Sequence, residues 1–345
     1  MRPFTRMEER IMDRIQRDVP LDPAPFAVIS RELKLDGQLL METLRALKER
    51  RVVRNISGIF NARRLGYDSG LVAFRVPAAG VEEAAGFINS HPGVSHNYLR
   101  DHRFNLWFTL AVDPSAPLPR TVGALAAHCR AEESLVFKNE KLYKIGFMLR
   151  MGDEDEQETP SAADNSPAPE TGVLPLTTDE KRSIALLQKD LPIVERPFGA
   201  LLREARSELD EEYLVAAGER LKRQGTLRRY AAVLKHYNAG YGANAMTVWK
   251  TAGGDDEERA AGIFRDHRGV SHLYRRTVHP PVWEYPLFAM IHARGDTELG
   301  EIIKDLSGRS GVRDYMVLRS MREFKKERVT YFSPEFDEWN KRHLK

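Results

Sequence analysis

Apolar residues recur at intervals of three and four near the start of the chain: Ile11 and Ile15, then Phe26, Ile29 and Leu33, then Leu39, Leu40, Leu44 and Leu47. This spacing gives each of three short helices one apolar stripe. Asp36 stands where an N-cap belongs, because its carboxylate can accept from the free amides of a first turn. Residues 52–56 and 59–61 then read as a short wing of strands. Three helices and a wing predict a winged helix-turn-helix over residues 7–61. The period then changes. Residues 69–76 predict a strand, 81–90 a helix, 94–101 and 104–112 two strands joined tightly, 120–131 a helix and 135–149 a last strand. That order, β-α-β-β-α-β, is a ferredoxin-like unit.

The pattern then repeats. Gly93-Val94-Ser95-His96-Asn97-Tyr98 returns as Gly269-Val270-Ser271-His272-Leu273-Tyr274, Gly66-Tyr67 as Gly240-Tyr241, and Arg54 as Arg228. A near-identity at a constant offset signals duplication. Residues 179–235 predict the second helical unit. Strands and helices follow at 243–250, 257–266, 270–277, 286–293, 298–306 and 314–317, with one more strand at 324–332. Between the copies, residues 151–176 carry seven acids, no base and few large apolar groups, so they cannot bury enough surface to order themselves. The expected fold class is α+β, a tandem repeat of winged helix-turn-helix plus ferredoxin-like domain. The boundaries are 1–62, 63–150, a disordered acidic linker at 151–176, 177–237, 238–332, and a tail at 333–345 read as a surface helix or frayed end.

Composition removes several function classes. Cys129 is the one cysteine in 345 residues, which excludes a disulfide framework and a cysteine-based metal site. No run of eighteen apolar residues exists, and the first residues carry charge rather than an apolar signal core, so a cytoplasmic protein without a membrane span is expected. The net charge of +3 becomes about +10 without the linker, a modest surplus that allows a local basic groove but no polybasic coat.

Winged helices invite a DNA reading, which depends on the third helix of each copy. A helix entering the major groove presents its first residues to the bases. Here those residues are Ser207-Glu208-Leu209-Asp210-Glu211-Glu212 in one copy and Asp36-Gly37-Gln38-Leu39-Leu40-Met41-Glu42 in the other. Four acids facing phosphate gain nothing from counterion release, and the cations Arg45, Lys48, Arg50 and Arg51 come late. The pattern argues against sequence-specific DNA binding.

Chemistry concentrates elsewhere. Seven of ten histidines, namely His91, His96, His102, His267, His272, His279 and His292, lie in or one turn before the stretches that follow the repeated glycine. Alternate residues of a strand share a face, so His96, Tyr98 and Arg100 form one row and His272, Tyr274 and Arg276 another. An imidazole, an amphipathic ring and a fixed cation suit a flat aromatic anion bearing several carboxylates. Against that stands ordinary packing, an even choice for Trp107 and Trp283. For Arg54, Arg228 and Arg229 the choice lies between a solvated surface and substrate contact.

The same windows, GVSHNYLRDHRFNLWFT and GVSHLYRRTVHPPVWEYPLFAMIHA, resemble the two subunit types of siroheme decarboxylase, which share the architecture of the Lrp/AsnC transcription factors. The resemblance covers nearly all of both copies and departs at Pro286, where the family commonly carries asparagine, so no side-chain contact is assigned there. It implies removal of two acetate carboxylates of siroheme to give 12,18-didecarboxysiroheme, in heme d1 or alternative heme biosynthesis. No cofactor of the enzyme's own is implied, since the iron belongs to the substrate. His96, His102, His272 and His292 become the ligand and acid set, with His279 a weaker candidate. One of His96 and His272 would be the axial ligand to the substrate iron. Arg54, Arg100, Arg228, Arg275 and Arg276 become carboxylate clamps, with Tyr98, Trp107, Tyr274, Trp283 and Tyr285 as substrate-binding walls. The partners implied are siroheme and its decarboxylated products, neighbouring tetrapyrrole-biosynthesis enzymes, and a second copy in a homodimer or the other half in an intramolecular pseudo-dimer. A tetrapyrrole-responsive Lrp/AsnC-type regulator is the alternative, and an assembly partner that binds without turnover is a third reading.

Overall fold

The computed structural model describes residues 4–144, 172–234 and 243–344. The acidic stretch 151–171, the repeat partners Gly240-Tyr241 and the end of the strand expected to reach residue 149 lie outside these residues. Each copy opens with three helices. They are α1 (Arg6–Arg17), α2 (Pro25–Leu33) and α3 (Gly37–Glu49), then α6 (Thr178–Leu187), α7 (Pro197–Glu204) and α8 (Glu211–Arg223). Asp36 caps α3 as its position predicts, accepting from the Gln38 and Leu39 amides. Asp210 caps α8 through the Tyr213 amide.

The expected wing of short strands is instead one strand per copy, β1 (Val53–Phe60) and β7 (Leu227–Leu234), and the two pair antiparallel with each other. A duplicated chain supplies the missing partner from its other half, so no local hairpin is needed. The helices follow the strands across. Lys48 on α3 bonds Asp190 at 2.6 Å, and the repeat-related Lys222 on α8 bonds Asp18 at 2.7 Å. Asp190 also accepts from the Ile56 amide, and the Arg45 guanidinium donates to the Ile193 carbonyl. One apolar core runs through both helical units, from Ile11, Leu40 and Leu44 to Leu187, Leu214 and Tyr230.

The remaining strands form one nine-stranded sheet. In chain order they are β2 (Asp68–Arg75), β3 (Val94–Arg100), β4 (Leu106–Val112), β5 (Glu133–Phe137), β6 (Asn139–Lys144), β8 (Ala243–Trp249), β9 (Val270–Arg276), β10 (Leu287–Ala293) and β11 (Tyr315–Lys326). In space the order is β5-β2-β4-β3-β11-β8-β10-β9-β6. Its first and last members are consecutive in the chain through Lys138, so the sheet curls until its ends meet. Helices α4 (Val81–Ser90) and α5 (Leu118–His128) cover the outside of the first half, and α9 (Gly254–Asp266) and α10 (Asp296–Ser310) the outside of the second. The inner faces share a third core of Trp107, Phe137, Met246, Val248, Trp283, Phe288 and Leu318.

One expectation changes at the C-terminal end, and the tail takes the helical of its two readings. The strands placed at 314–317 and 324–332 are one strand: β11 pairs with β8 through its first residues and with β3 of the other copy through its last. The exposed run Arg319–Glu323 breaks apolar alternation because the strand is there passing from one half-sheet to the other. The tail is not frayed. Helix α11 (Pro334–His343) buries Phe336 and Trp339, and Trp339 packs against the His91 ring at 4.4 Å.

Candidate active site between the two histidine rows

The alternation expected of β3 and β9 holds. Asn97 and Leu273 turn outward, Asn97 bonding α4 and Leu273 joining the outer core, so His96, Tyr98 and Arg100, and His272, Tyr274 and Arg276, look into the closed sheet. Each histidine stacks on its tyrosine, with ring centroids 6.3 Å apart for His96–Tyr98 and 6.4 Å for His272–Tyr274. Each arginine lies over the same tyrosine, at 5.2 Å for Arg100 and 4.8 Å for Arg276.

The serine before each histidine holds the ring. Ser95 Oγ is 3.0 Å from His96 Nδ1, and Ser271 Oγ is 2.9 Å from His272 Nδ1. Ser271 also donates to the Met290 carbonyl at 3.3 Å. A hydroxyl has one proton to give, so the Ser271 oxygen is left to accept from Nδ1–H. In that arrangement His272 Nε2 carries a bare lone pair, the form that ligates a metal. Burial, aided by the charges of His292, His96 and Lys144, pushes His272 down to about 4. His96 is also lowered, by burial and then by Lys326 and Arg54, but the Glu323 carboxylate works the other way. His272 therefore feels the charge of His96, and among the described residues His96 alone of the two has an acid that supports its protonated form.

Arg100 and Arg276 are structural anchors as well as cations. Arg100 Nη1 donates to the Leu318 carbonyl at 2.7 Å, and Arg276 Nη1 to the Phe137 carbonyl at 3.3 Å. Their Nε atoms are buried without a partner, and burial lowers both groups to about 10. Arg54 on β1 and Arg228 on β7 reach the same region, Arg54 acting on His96 and Arg228 on Tyr274. Neither forms an ion pair among the described residues. Arg275 does not join them. It lies on the outer face of β9, 3.2 Å from both Glu140 and Glu257, so strand alternation removes it from the site and two acids already occupy it.

The other candidates divide between two places. His292 follows Met290 on the inner face of β10 and feels His272; it also lines a cavity of about 240 Å³ with His267, Glu298 and Asp305. His102, Trp107, Trp283 and Tyr285 sit at the far end of the closed sheet. Trp107 donates to the Phe104 carbonyl, stacks on Phe137 and is 1 % exposed. Trp283 packs on Trp107, Phe137 and His102. His102 accepts from the Phe104 amide through Nδ1, and His279 bonds the Val136 carbonyl. Tyr285 donates to Asp314. These groups form an aromatic plug that closes one end, while the end facing the helical layer stays lined by histidine, tyrosine and arginine.

Residues outside the repeated motif also reach this end. Glu323 accepts from Tyr98 at 3.0 Å, and Lys326 stands opposite His96 across the strand pair. Arg328 and Tyr331 follow directly. Nothing in local periodicity marks them, because the long strand that delivers them belongs to the other copy.

Comparisons with known proteins identify the family. Residues 8–54 match the model of the siroheme decarboxylase NirDL-like HTH domain, and residues 64–144 and 238–325 that of the AsnC-like ligand binding domain. Siroheme decarboxylase of Hydrogenobacter thermophilus is 41 % identical over 334 residues, 96 % of this chain and 97 % of that one. The crystal structure of the siroheme decarboxylase NirDL superposes with a TM-score of 0.79 at 37 % identity, covering 98 % of both chains. The same enzyme in co-complex with an iron-uroporphyrin III analogue gives a TM-score of 0.78, covering 97 % of this chain and 98 % of that one. With both halves present in one polypeptide and the match running from end to end, the chain belongs to the siroheme decarboxylase family.

Proposed function

We propose that this chain is a carboxy-lyase that removes two acetate carboxylates of siroheme, giving 12,18-didecarboxysiroheme. The observation that carries the reading is that two tyrosine-stacked histidines lie at one basic end of the sheet, beside a pair of arginines, Arg54 and Arg228, that form no ion pair among the described residues. A macrocycle bearing eight carboxylates supplies the missing negative charge, and its iron supplies a use for an imidazole with a bare nitrogen.

The chemistry assigns the parts. In each step the bond between a side-chain methylene and its carboxylate breaks, carbon dioxide leaves, and the electron pair passes into the ring. A proton then reaches the methylene carbon, which becomes a methyl group. His272 suits the axial position, since its lowered affinity for a proton keeps Nε2 free at neutral pH. Of the two, His96 is the better proton donor, because Glu323 offsets part of the burial that lowers it; a placed acid contributes about 10²–10⁴-fold. Arg54 and Arg228 hold carboxylates that do not react, which places the reacting acetate beside the acid. A tight arginine on the reacting carboxylate would stabilise the ground state and slow its loss. Arg100 and Arg276 keep the two tyrosine walls in place. The iron enters and leaves with the substrate, and a cytoplasmic setting fits the single buried cysteine.

A DNA-binding role finds little support, because Arg45 and Lys48 of α3 are engaged by the other copy. The test is anaerobic incubation of the purified protein with siroheme, followed by mass analysis of the extracted tetrapyrrole. Loss of two carbon dioxide units is expected; unchanged siroheme would refute the reading. His272→Ala should lose the Soret shift of bound iron, whereas His96→Ala should bind and fail to turn over.

A further inference from the structure

Beyond β11 the chain does not leave the molecule. The Glu327 amide donates to the Ser95 carbonyl at 2.7 Å, next to His96. The Arg328 guanidinium donates to Ser57 Oγ of β1 at 3.2 Å. The Tyr331 amide and carbonyl are both bonded by the Gln188 side chain, at 2.8 and 3.2 Å, and the Phe332 amide donates to the Tyr67 hydroxyl at 2.7 Å. Helix α11 then docks on the first copy through Trp339 and through Asn340, which bonds Asp113 at 2.7 Å. Residues 327–332 are thus pinned at both ends, to β3 beside His96 and to the helical layer through Ser57 and Gln188.

Arg328 has no ion pair among the described residues. Arg54 and Arg229 act on it as like charges and Tyr331 as a phenol, and Arg54 too forms no ion pair among the described residues. Its surface is open to solvent, yet the atoms crowded round it desolvate the guanidinium and lower its proton affinity. The Ser57 bond draws the guanidinium toward β1 and Arg54 while the rest of the side chain stays open to solvent. Holding like charges together costs free energy that an anion would repay.

We propose that Arg328 is a further carboxylate clamp of the tetrapyrrole site, so that the segment 327–332 forms one wall of the cleft beside Arg54 and Arg228. This rests on the decarboxylase reading, and it adds a residue from outside both repeated motifs. The Ser57 bond fixes the side chain from one edge and leaves the other edge of the fork for a carboxylate, a geometry that arginine has and lysine lacks.

The experiment is equilibrium binding of iron-uroporphyrin, followed by the Soret band, to wild type, Arg328→Gln, Arg328→Lys and Arg322→Gln. Arg322 lies on β11 as well, but it is exposed and paired with Glu82 on the outer surface, so its variant controls for lost charge alone. The expected result is about tenfold or greater weakening for Arg328→Gln, a smaller loss of about threefold or more for Arg328→Lys, and no change for Arg322→Gln. Wild-type affinity in both Arg328 variants would overturn the proposal, as would an equal loss in the Arg322 control. Should Arg328→Gln fail to fold, Arg328→Lys decides alone. Absence of binding by the wild type would instead count against the decarboxylase reading itself.

Discussion

The Tyr98 hydroxyl donates to the Glu323 carboxylate at 3.0 Å, whereas Tyr274, its counterpart in the other copy, stands opposite Leu142. The two histidine rows are therefore not equivalent. Among the described residues, one carries a negative charge at its rim and the other does not. Glu323 supports a proton on His96, yet it also repels a polycarboxylate.

Replacing Glu323 by Gln keeps an acceptor for Tyr98 and removes the charge. Affinity for iron-uroporphyrin should rise about two- to fivefold at low salt, with the gain shrinking as ionic strength rises. His96 should titrate at lower pH, because a charge that raised its affinity for protons is gone. Turnover should fall while binding improves. A Kd series across salt and an NMR titration of His96 check both signs, and weaker binding would refute the argument.

Ser271 acts on the site only through His272. Ser271→Ala removes the acceptor that holds Nδ1–H, so the ring is free to take the other tautomer and to rotate. Removing an orienting partner of this kind costs about 10–100-fold in metal affinity. The Soret shift with iron-uroporphyrin should weaken accordingly, and Ser271→Thr should restore most of it. A merely structural role would lower thermal stability without moving the Soret position.

His91 gives a pH dependence with a definite sign. Burial pushes it down to about 3, and the ring is 1 % exposed, with Nδ1 accepting from the Gly93 amide. In the unfolded chain it titrates near 6.5, so between these values the unfolded state binds the proton and the folded state does not. Stability is therefore complete above about pH 6.5 and falls as pH drops toward 3. One such group costs about 2 kcal/mol between pH 7 and pH 5. His91→Asn keeps an acceptor for Gly93 and should remove about that much of the acid-side loss in urea unfolding. An unchanged difference between the two pH values would exclude His91 as the source.

The periodicity of two and of three to four was enough to place nearly every helix and strand, and duplication marked His96 and His272 as a pair. What local pattern could not carry was partnership between copies. β1 had no visible partner because that partner is β7, more than 160 residues on. Strand alternation already puts Arg276 and not Arg275 in the row with His272; Arg275 entered through the resemblance alone, and the structure pairs it with Glu257. His102, Trp107 and Trp283 clustered with the motif, but packing claims them for the plug. Arg328 and Tyr331 went unseen, since only the crossing of β11 from one half-sheet to the other brings them to the site.

The repeated glycine gives the sharpest contrast between two residues that look alike. A Cβ on Gly93 would fall 1.7 Å from the Ala111 carbonyl oxygen, a backbone atom of β4 whose own amide donates to the Gly93 carbonyl. Nothing there can give way without parting β3 from β4 just before His96. A Cβ on Gly269 would meet the tip of the Ile302 side chain at 2.9 Å, which can swing aside. Gly93→Ala should therefore destabilise by about 3 kcal/mol or more, and Gly269→Ala by about 1 kcal/mol. The first should also lose iron-uroporphyrin affinity at temperatures where it remains folded, because His96 moves with the strand. Thermal unfolding of the two variants side by side, with binding measured below both midpoints, checks the pair, and equal costs would show that the copies are packed more alike than the Ala111 contact requires.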